Sequence, residues 1–249
     1  MGKLDGKVAV ITGGGSGIGR GVARLFAGEG AAVGIFDLDA ANAKAVADEI
    51  AAEGGKAAIA IGDVSKEADV EAGLKSLVSA LGSDVDIMVN NAGMDTTHEL
   101  DGMPTDMWDR MLNVHLRGTF LFTRAVLPGM KKKKWGRVIN LSSQLAHKGA
   151  PTMTHYVAAK AGIMGFTRAL AYEVARDGIT VNCVNPGPIN TPLLNSLPQD
   201  WLNRKKNELP IGRFGEVDEV APVFLLLASD EGSYFIGASL NVNGGDYMI

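Results

Sequence analysis

The chain has 249 residues, 46% of them apolar and 21% charged, which is enough for a large α/β core that folds without disulfides. Its 24 basic and 28 acidic residues leave a net charge of −4, which excludes an overall basic field for nucleic acid. The single cysteine, Cys183, cannot bridge within the chain, no run approaches the ~20 apolar residues of a membrane span, and Met1–Asp5 lacks a signal peptide's apolar middle, so a soluble cytoplasmic protein is expected.

Lys7–Thr12 is a short β-branched run that breaks into Gly13-Gly14-Gly15-Ser16-Gly17-Ile18-Gly19, after which Val22, Leu25 and Phe26 mark a helix. Strand, glycine turn and helix in this order make a phosphate cradle: glycines allow close backbone approach, and the helix start offers free N–H groups and a positive dipole end. Ala32–Phe36 is a second strand, and Asp37 follows it 18 residues after Gly19. A carboxylate there would accept from the adenosine ribose hydroxyls and repel a 2′-phosphate. No Arg or Lys follows Asp37, Leu38 comes next, and Ser16 rather than a basic residue precedes Gly17, so the cofactor expected is NAD.

The alternation continues with strand 56–61, the turn Gly62-Asp63-Val64, helix 67–81 and strand 85–89. Strands separated by such helices imply right-handed crossovers and a parallel sheet, a Rossmann-type doubly wound α/β fold of about seven strands in one domain spanning 1–249. Asp63 would meet the adenine or cap the following helix. Asn90-Asn91-Ala92-Gly93 is a small-residue turn on the same sheet edge, where Ala92 and Gly93 would let the backbone approach a ribose. A long helical pattern from Pro104 to Met130 has a wide apolar face broken by Asn113, His115, Arg117 and Gly118, and Lys131–Lys134 then places cations at its negative end. No His, Cys or carboxylate accompanies His115 at ligand spacing, so it is read as a packed or partner-facing residue and no metal is expected.

Val138–Ser143 reads as a buried strand ending in two hydroxyls, and Tyr156-Val-Ala-Ala-Lys160 lies thirteen positions beyond Ser143. Residues four apart share a helix face, so Lys160 would stand beside the Tyr156 phenol and favour the phenolate, while Ser143 would donate to the same substrate oxygen. Taken alone, Tyr-x-x-x-Lys is more often an amphipathic surface pair. Strand 179–184 leads into the proline-rich loop 185–192, segment 193–209 is either a flap or a surface helix, and helix 217–229 with strand 239–242 closes the sheet.

With these motifs in order, the chain resembles the short-chain dehydrogenases/reductases over nearly its whole length. Thr12-Gly13-x-x-x-Gly17-x-Gly19 is similar to the family's cofactor loop, Asn90–Gly93 to its central-strand motif, and Pro186-Gly187-x-Ile189-x-Thr191 to the loop around the nicotinamide carboxamide. The resemblance implies a catalytic set of Ser143, Tyr156, Lys160 and Asn113, in which Tyr156 exchanges the proton, Ser143 steadies the substrate oxygen, Lys160 lowers the phenol's pKa and binds the ribose, and Asn113 holds a water. It also implies a homotetramer joined through the helices at 107–130 and 154–176.

Met94, Gln144, Leu145, Met153, His155 and segment 193–209 are the expected substrate wall, with His155 either touching substrate or packing outward. The pattern is most similar to the 3-oxoacyl-carrier-protein reductase branch, whose members typically prefer NADPH, whereas Asp37 favours NAD. The expectation is therefore an NAD-linked oxidoreductase of a secondary alcohol or ketone, with the NADPH-linked acyl-thioester reductase as the alternative. A nucleotide-sensing protein that lost its chemistry is a third reading, opposed by the competent residues at all four positions.

Overall fold

The computed structural model describes residues 2–248. Seven parallel strands, β1 (Val8–Thr12), β2 (Ala32–Asp37), β3 (Lys56–Ile61), β4 (Ile87–Asn90), β5 (Gly136–Leu141), β6 (Ile179–Pro186) and β7 (Ser239–Val242), form one sheet in the order β3-β2-β1-β4-β5-β6-β7. The helices between them are α1 (Gly17–Gly28), α2 (Ala40–Ala52), α3 (Glu67–Leu81), α4 (Thr105–Leu112), α5 (Gly118–Lys133), the single-turn α6 (Leu145–Lys148), α7 (Thr154–Val174), α8 (Pro192–Asn195), α9 (Gln199–Glu208) and α10 (Val217–Ala228). This is the doubly wound fold expected from the alternation.

The strands carry apolar residues on both faces because both faces are covered. One face packs Val22 and Phe26 of α1, Val46 and Ile50 of α2 and Phe224 of α10 against Ile11, Ile35 and Val89. The other packs Leu74 and Leu77 of α3, Phe122 and Val126 of α5 and Leu170 and Val174 of α7 against Val10, Met88 and Val181. A third, small cluster of Leu202, Leu209 and Phe214, with Leu194, Leu197 and Trp201 against it, holds the 192–214 segment together. Among the described residues no helix is long and apolar enough to cross a membrane.

Several boundaries differ from the sequence expectation. β5 begins at Gly136 and stops at Leu141, so Ser142 and Ser143 lie just past the strand. The long helix expected from 104 to 130 is not continuous in phase: a π-helical turn, Asn113–Arg117, separates α4 from α5. The lysine run does close α5, and two of its members are anchored, Lys133 to the buried carboxylate of Asp86 at 2.7 Å and Lys134 to Asp177 at 2.5 Å.

A buried polar ladder crosses the second face. Asn90 donates to Asn140 Oδ1 at 2.8 Å and to Thr123 Oγ1 at 3.0 Å, and Asn140 donates to Thr167 Oγ1 at 2.9 Å. It ties β4 and β5 to α5 and α7, and every link is made between fully desolvated groups. Asn140→Ala, which strips Thr167 of its donor and Asn90 of an acceptor, is expected to lower unfolding free energy by about 2 kcal/mol. Urea denaturation should show the midpoint falling with an unchanged slope.

Candidate active site

Connections run outward in opposite directions from β1 and β4, so a crevice opens between their carboxyl ends. Thr12 and Asn91 stitch that seam. The Thr12 hydroxyl accepts the Asn91 and Ala92 N–H groups at 3.0 Å each, and the Asn91 amide donates to the Thr12 and Gly13 carbonyls at 2.9 and 3.1 Å. Gly13 takes a left-handed φ of 62°, and a Cβ on it would fall 2.9 Å from the Ala92 backbone; a Cβ on Gly19 would sit 2.1 Å from the Gly13 carbonyl oxygen. The glycine loop is thus pressed against the Asn-Ala-Gly turn, and α1 starts at its edge with no side-chain cap from Ser16, leaving first-turn N–H groups free for an anion.

A cleft of about 450 Å³ runs along this seam. Gly13, Ser16, Gly17, Ile18, Asp37, Leu38, Asp63, Val64, Asn91, Ala92, Gly93 and Thr191 line it, together with Tyr156, Lys160 and Met94. Asp37 is held at its rim by two backbone donors, Gly15 N–H at 2.8 Å and Asp39 N–H at 2.9 Å, which leaves lone pairs on both oxygens. Asp63 accepts from the N–H and hydroxyl of Ser65 rather than capping α3, whose N-cap is Lys66. Burial pushes the Asp63 carboxyl up, but the Ser65 bonds and the nearby Lys66 and Arg110 outweigh it and hold the group below its ordinary value.

Four of the expected cofactor residues do not line the cleft: Gly19, Pro186, Gly187 and Ile189. Gly19 serves the close packing just described. Gly187 lets the chain pass the Asn243 backbone, where a Cβ would meet Cα at 2.7 Å, and Ile189 is buried in the core. The cleft also has walls that sequence reasoning missed, notably Phe36, Gly62, Arg110, Val114 and Leu141, while Leu193 comes from the segment expected to wall the substrate. Arg110 lies too far along the chain from Asp63, whose carboxyl it helps to hold down, for any local motif to have linked them.

At the far end, β5 and α7 are clamped together. Ser142 Oγ donates to the Lys160 carbonyl at 2.9 Å, and Lys160 Nζ donates to the Leu141 carbonyl at 2.7 Å. Lys160 is 2% exposed, and its Nζ stands 5.6 Å from the Tyr156 ring centroid. Ser143 is also buried, and its Oγ accepts the Leu145 N–H at 3.1 Å. Burial pushes Lys160 down to about 7 and Tyr156 up to about 12, the Ser143 hydroxyl working against the latter. The expected lowering of the phenol by Lys160 does not appear in the protein by itself: burial is the largest effect on both groups and pushes each toward its neutral form.

Two expected site residues are corrected by the geometry. Asn113 is exposed and does not line the cleft, because the π turn rotates it outward, so it does not join Ser143, Tyr156 and Lys160. His155 neither reaches the cleft nor packs outward; it is fully buried, with Nε2 2.9 Å from Thr96 Oγ1. Of the other expected substrate residues, Met94 lines the cleft, Met153 precedes α7 half-buried, and Gln144 is buried with its amide held by Asp246.

A glycine cradle at a helix start, a carboxylate at the end of the second strand and a Tyr–Lys pair on α7, clamped to the end of the fifth, form the site of a dinucleotide-fold protein. A family model described as enoyl-(acyl carrier protein) reductase matches residues 13–246. The chain is 43% identical over 242 residues to the hydroxy(phenyl)methylsuccinyl-CoA dehydrogenase subunit BbsD of Thauera aromatica, covering 97% of each chain. It is 41% identical to the 3-oxoacyl-(acyl-carrier-protein) reductase FabG of Pseudomonas aeruginosa (98% of this chain, 99% of the relative) and 39% identical to that of Thermotoga maritima (98% of each). The protein belongs to the short-chain dehydrogenase/reductase family, in the branch that contains these carrier-protein reductases.

The buried Lys160 has a thermodynamic signature. Its folded pKa of about 7 lies below the ordinary 10.5, so between those values the unfolded chain holds more protons and stability rises with pH; below pH 7 the full burial penalty is present. Lys160→Met is therefore expected to raise the melting temperature of the cofactor-free protein at pH 6, with the gain shrinking toward pH 10. Thermal melts at both pH values check this, and a variant less stable than the parent at pH 6 would contradict it.

Proposed function

We propose that the protein is an NAD-linked oxidoreductase that interconverts a secondary alcohol and a ketone, with Tyr156 as general acid/base. The observation that carries this reading is the convergence of Tyr156 and Lys160 on the same cleft that Asp37 lines at its other end. The residues fit a dinucleotide: Gly13, Gly17 and the start of α1 would take the pyrophosphate, Asp37 the adenosine ribose, and Lys160 with Asn91, Ala92 and Gly93 the nicotinamide half. Bound nicotinamide supplies or accepts the hydride. Tyr156 gives or takes the proton at the substrate oxygen, the Ser143 hydroxyl steadies that oxygen, and the Lys160 ammonium favours the phenolate once substrate and cofactor have displaced water from the cleft. The segment 193–209 serves as a flap over the substrate, and Leu193 already lines the cleft.

The assembly belonging to this reading is a cytoplasmic homotetramer joined through α5 and α7. A groove of about 290 Å³ between these helices, lined by Phe120, Leu127, Phe166 and Leu170, leaves apolar surface uncovered in the protomer.

One observation favours a second reading, a 3-oxoacyl-thioester reductase using NADPH. Arg110 supplies a cation to the cleft, and the relatives named above act, by name, on CoA-linked or carrier-protein-linked acyl groups. Absorbance-monitored turnover with NAD and NADP across secondary alcohols, polyols, sugars and 3-hydroxyacyl thioesters separates the two. NAD-dependent turnover upholds the first reading; turnover with NADP alone, on thioesters, upholds the second.

Two variants test the residue roles. Tyr156→Phe should lower kcat by about 100- to 10,000-fold with cofactor binding retained, and parental turnover would refute the acid/base role. It also tests the third reading, a protein without chemistry, in which parent and variant would be equally silent. Asp37→Ala should relax discrimination against NADP, measured as the ratio of kcat/KM for the two cofactors; an unchanged ratio would remove Asp37 from the ribose.

A further inference from the structure

The loop behind Ser143 is pinned from the far end of the chain. After β7 comes a tight turn, 243–247, in which Gly244 and Gly245 take left-handed φ values of 62° and 85° and Asn243 Oδ1 accepts the Gly245 N–H at 3.0 Å. The turn buries the Asp246 carboxylate, whose side chain is only 6% exposed. Its Oδ1 accepts from Lys148 Nζ and from Lys205 Nζ, each at 2.8 Å, and its Oδ2 accepts from the Gln144 amide. Burial pushes the carboxyl up, but the bonds from the two lysines outweigh it and hold the group below its ordinary value.

The three donors come from two places that bear on the substrate end. Gln144 precedes α6 and Lys148 is its last residue, so one carboxylate grips both ends of the helix that follows Ser143. The Ser143 hydroxyl accepts the Leu145 N–H inside that gripped turn. His147 of α6 also stacks on Tyr247, with ring centroids 5.3 Å apart and planes at 15°. Lys205 comes from α9, within segment 193–209; its side chain is 13% exposed and it also reaches Glu208 at 3.4 Å. The same turn supports the chain just past α9, where the Ile211 N–H donates to the Gly244 carbonyl at 3.3 Å and a Cβ on Gly244 would fall 2.7 Å from Ile211 Cγ2.

We infer that Asp246 is a positioning residue that couples the seating of segment 193–209 to the placement of the Ser143 hydroxyl. The inference rests on Ser143 and that segment serving the substrate as proposed above. Exposed ion pairs contribute little, but a nearly buried carboxylate carrying three donors, two of them charged, holds its partners in fixed geometry. Removing the lysine of α9 frees the segment while α6 stays gripped. Removing the lysine of α6 loosens the loop behind Ser143 while the segment stays seated. Removing the carboxylate frees both at once.

The test uses the full chain with the panel substrate and dinucleotide that the parent turns over fastest. Lys205→Met should raise KM for that substrate about fivefold with a smaller change in kcat, Lys148→Met should lower kcat about fivefold with a smaller change in KM, and Asp246→Ala should do both. Dinucleotide affinity should stay parental in all three. Trypsin should cut after Arg204 and Lys206 faster in Lys205→Met and Asp246→Ala, and at the parental rate in Lys148→Met. If Asp246→Ala does not fold, Asp246→Asn, which keeps the shape and removes the charge, takes its place with the same expectations. Parental kinetics and cleavage in the Asp246 variant, or KM and kcat moving by the same factors in both lysine variants, would overturn the inference. Ser143→Ala separates the two claims: full activity in that variant removes Ser143 from the chemistry and the inference with it, whereas an inactive Ser143→Ala beside unaffected Asp246 and lysine variants sinks only the role of Asp246. A parent silent on the whole panel overturns both.

Discussion

The seam between β1 and β4 is closed by one hydroxyl and one amide. Asn91 and Ala92 donate four hydrogen bonds to Thr12 and Gly13 across the point where the chain's crossovers turn in opposite directions, and the cleft forms along that closure. It brings the glycine loop of one half against the Asn-Ala-Gly turn of the other. It also explains the glycines at the seam, since a Cβ on Gly13 would fall 2.9 Å from the Ala92 Cα and one on Gly19 2.5 Å from the Asn91 amide nitrogen, pushing the two segments apart.

On the other half of the sheet the dominant constraint is electrostatic. Lys160 is fixed between the ends of β5 and α7 by a bond from its ammonium to Leu141 and a bond to its carbonyl from Ser142. Holding a lysine there costs stability, which is why its pKa falls, and the phenol beside it is likewise held in its neutral form. Burial pushes both groups toward neutrality, Lys160 down to about 7 and Tyr156 up to about 12, in a setting of low dielectric. Binding a cofactor and a substrate oxygen changes that balance far more than it would between two solvated side chains.

The sheet and its strand alternation were legible because each follows from a periodicity that survives folding, whereas the grouping of Ser143, Tyr156 and Lys160 was expected only through the family resemblance, since their spacing alone also fits a surface pair. Asp37 was legible because it is fixed by the strand just before it. What could not be read was phase. A regular helix from 104 to 130 puts Asn113 and His115 two residues apart on different faces, and choosing which faces Tyr156 needs the exact number of residues per turn. One π turn, which leaves no mark in hydrophobic patterning, decides for His115. Arg110, on α4 just before that turn, escaped notice because its role as a cleft wall comes from the α4 docking angle and not from the sequence around it.

Asp37 and Arg110 pull the cofactor question in opposite directions, and their settings are unequal. The Asp37 carboxylate is locked by two backbone N–H groups at the exit of β2, where a ribose must pass if the pyrophosphate lies on the glycine loop. Arg110 is an exposed side chain on α4, with a long flexible stem and no bond that fixes its guanidinium among the described residues. A 2′-phosphate would have to approach the fixed carboxylate before it could be rewarded by the mobile cation, and the repulsion is set by structure while the attraction must first order a side chain. That asymmetry supports the proposed preference for the unphosphorylated dinucleotide, and it makes Asp37 rather than Arg110 the residue whose removal tests it.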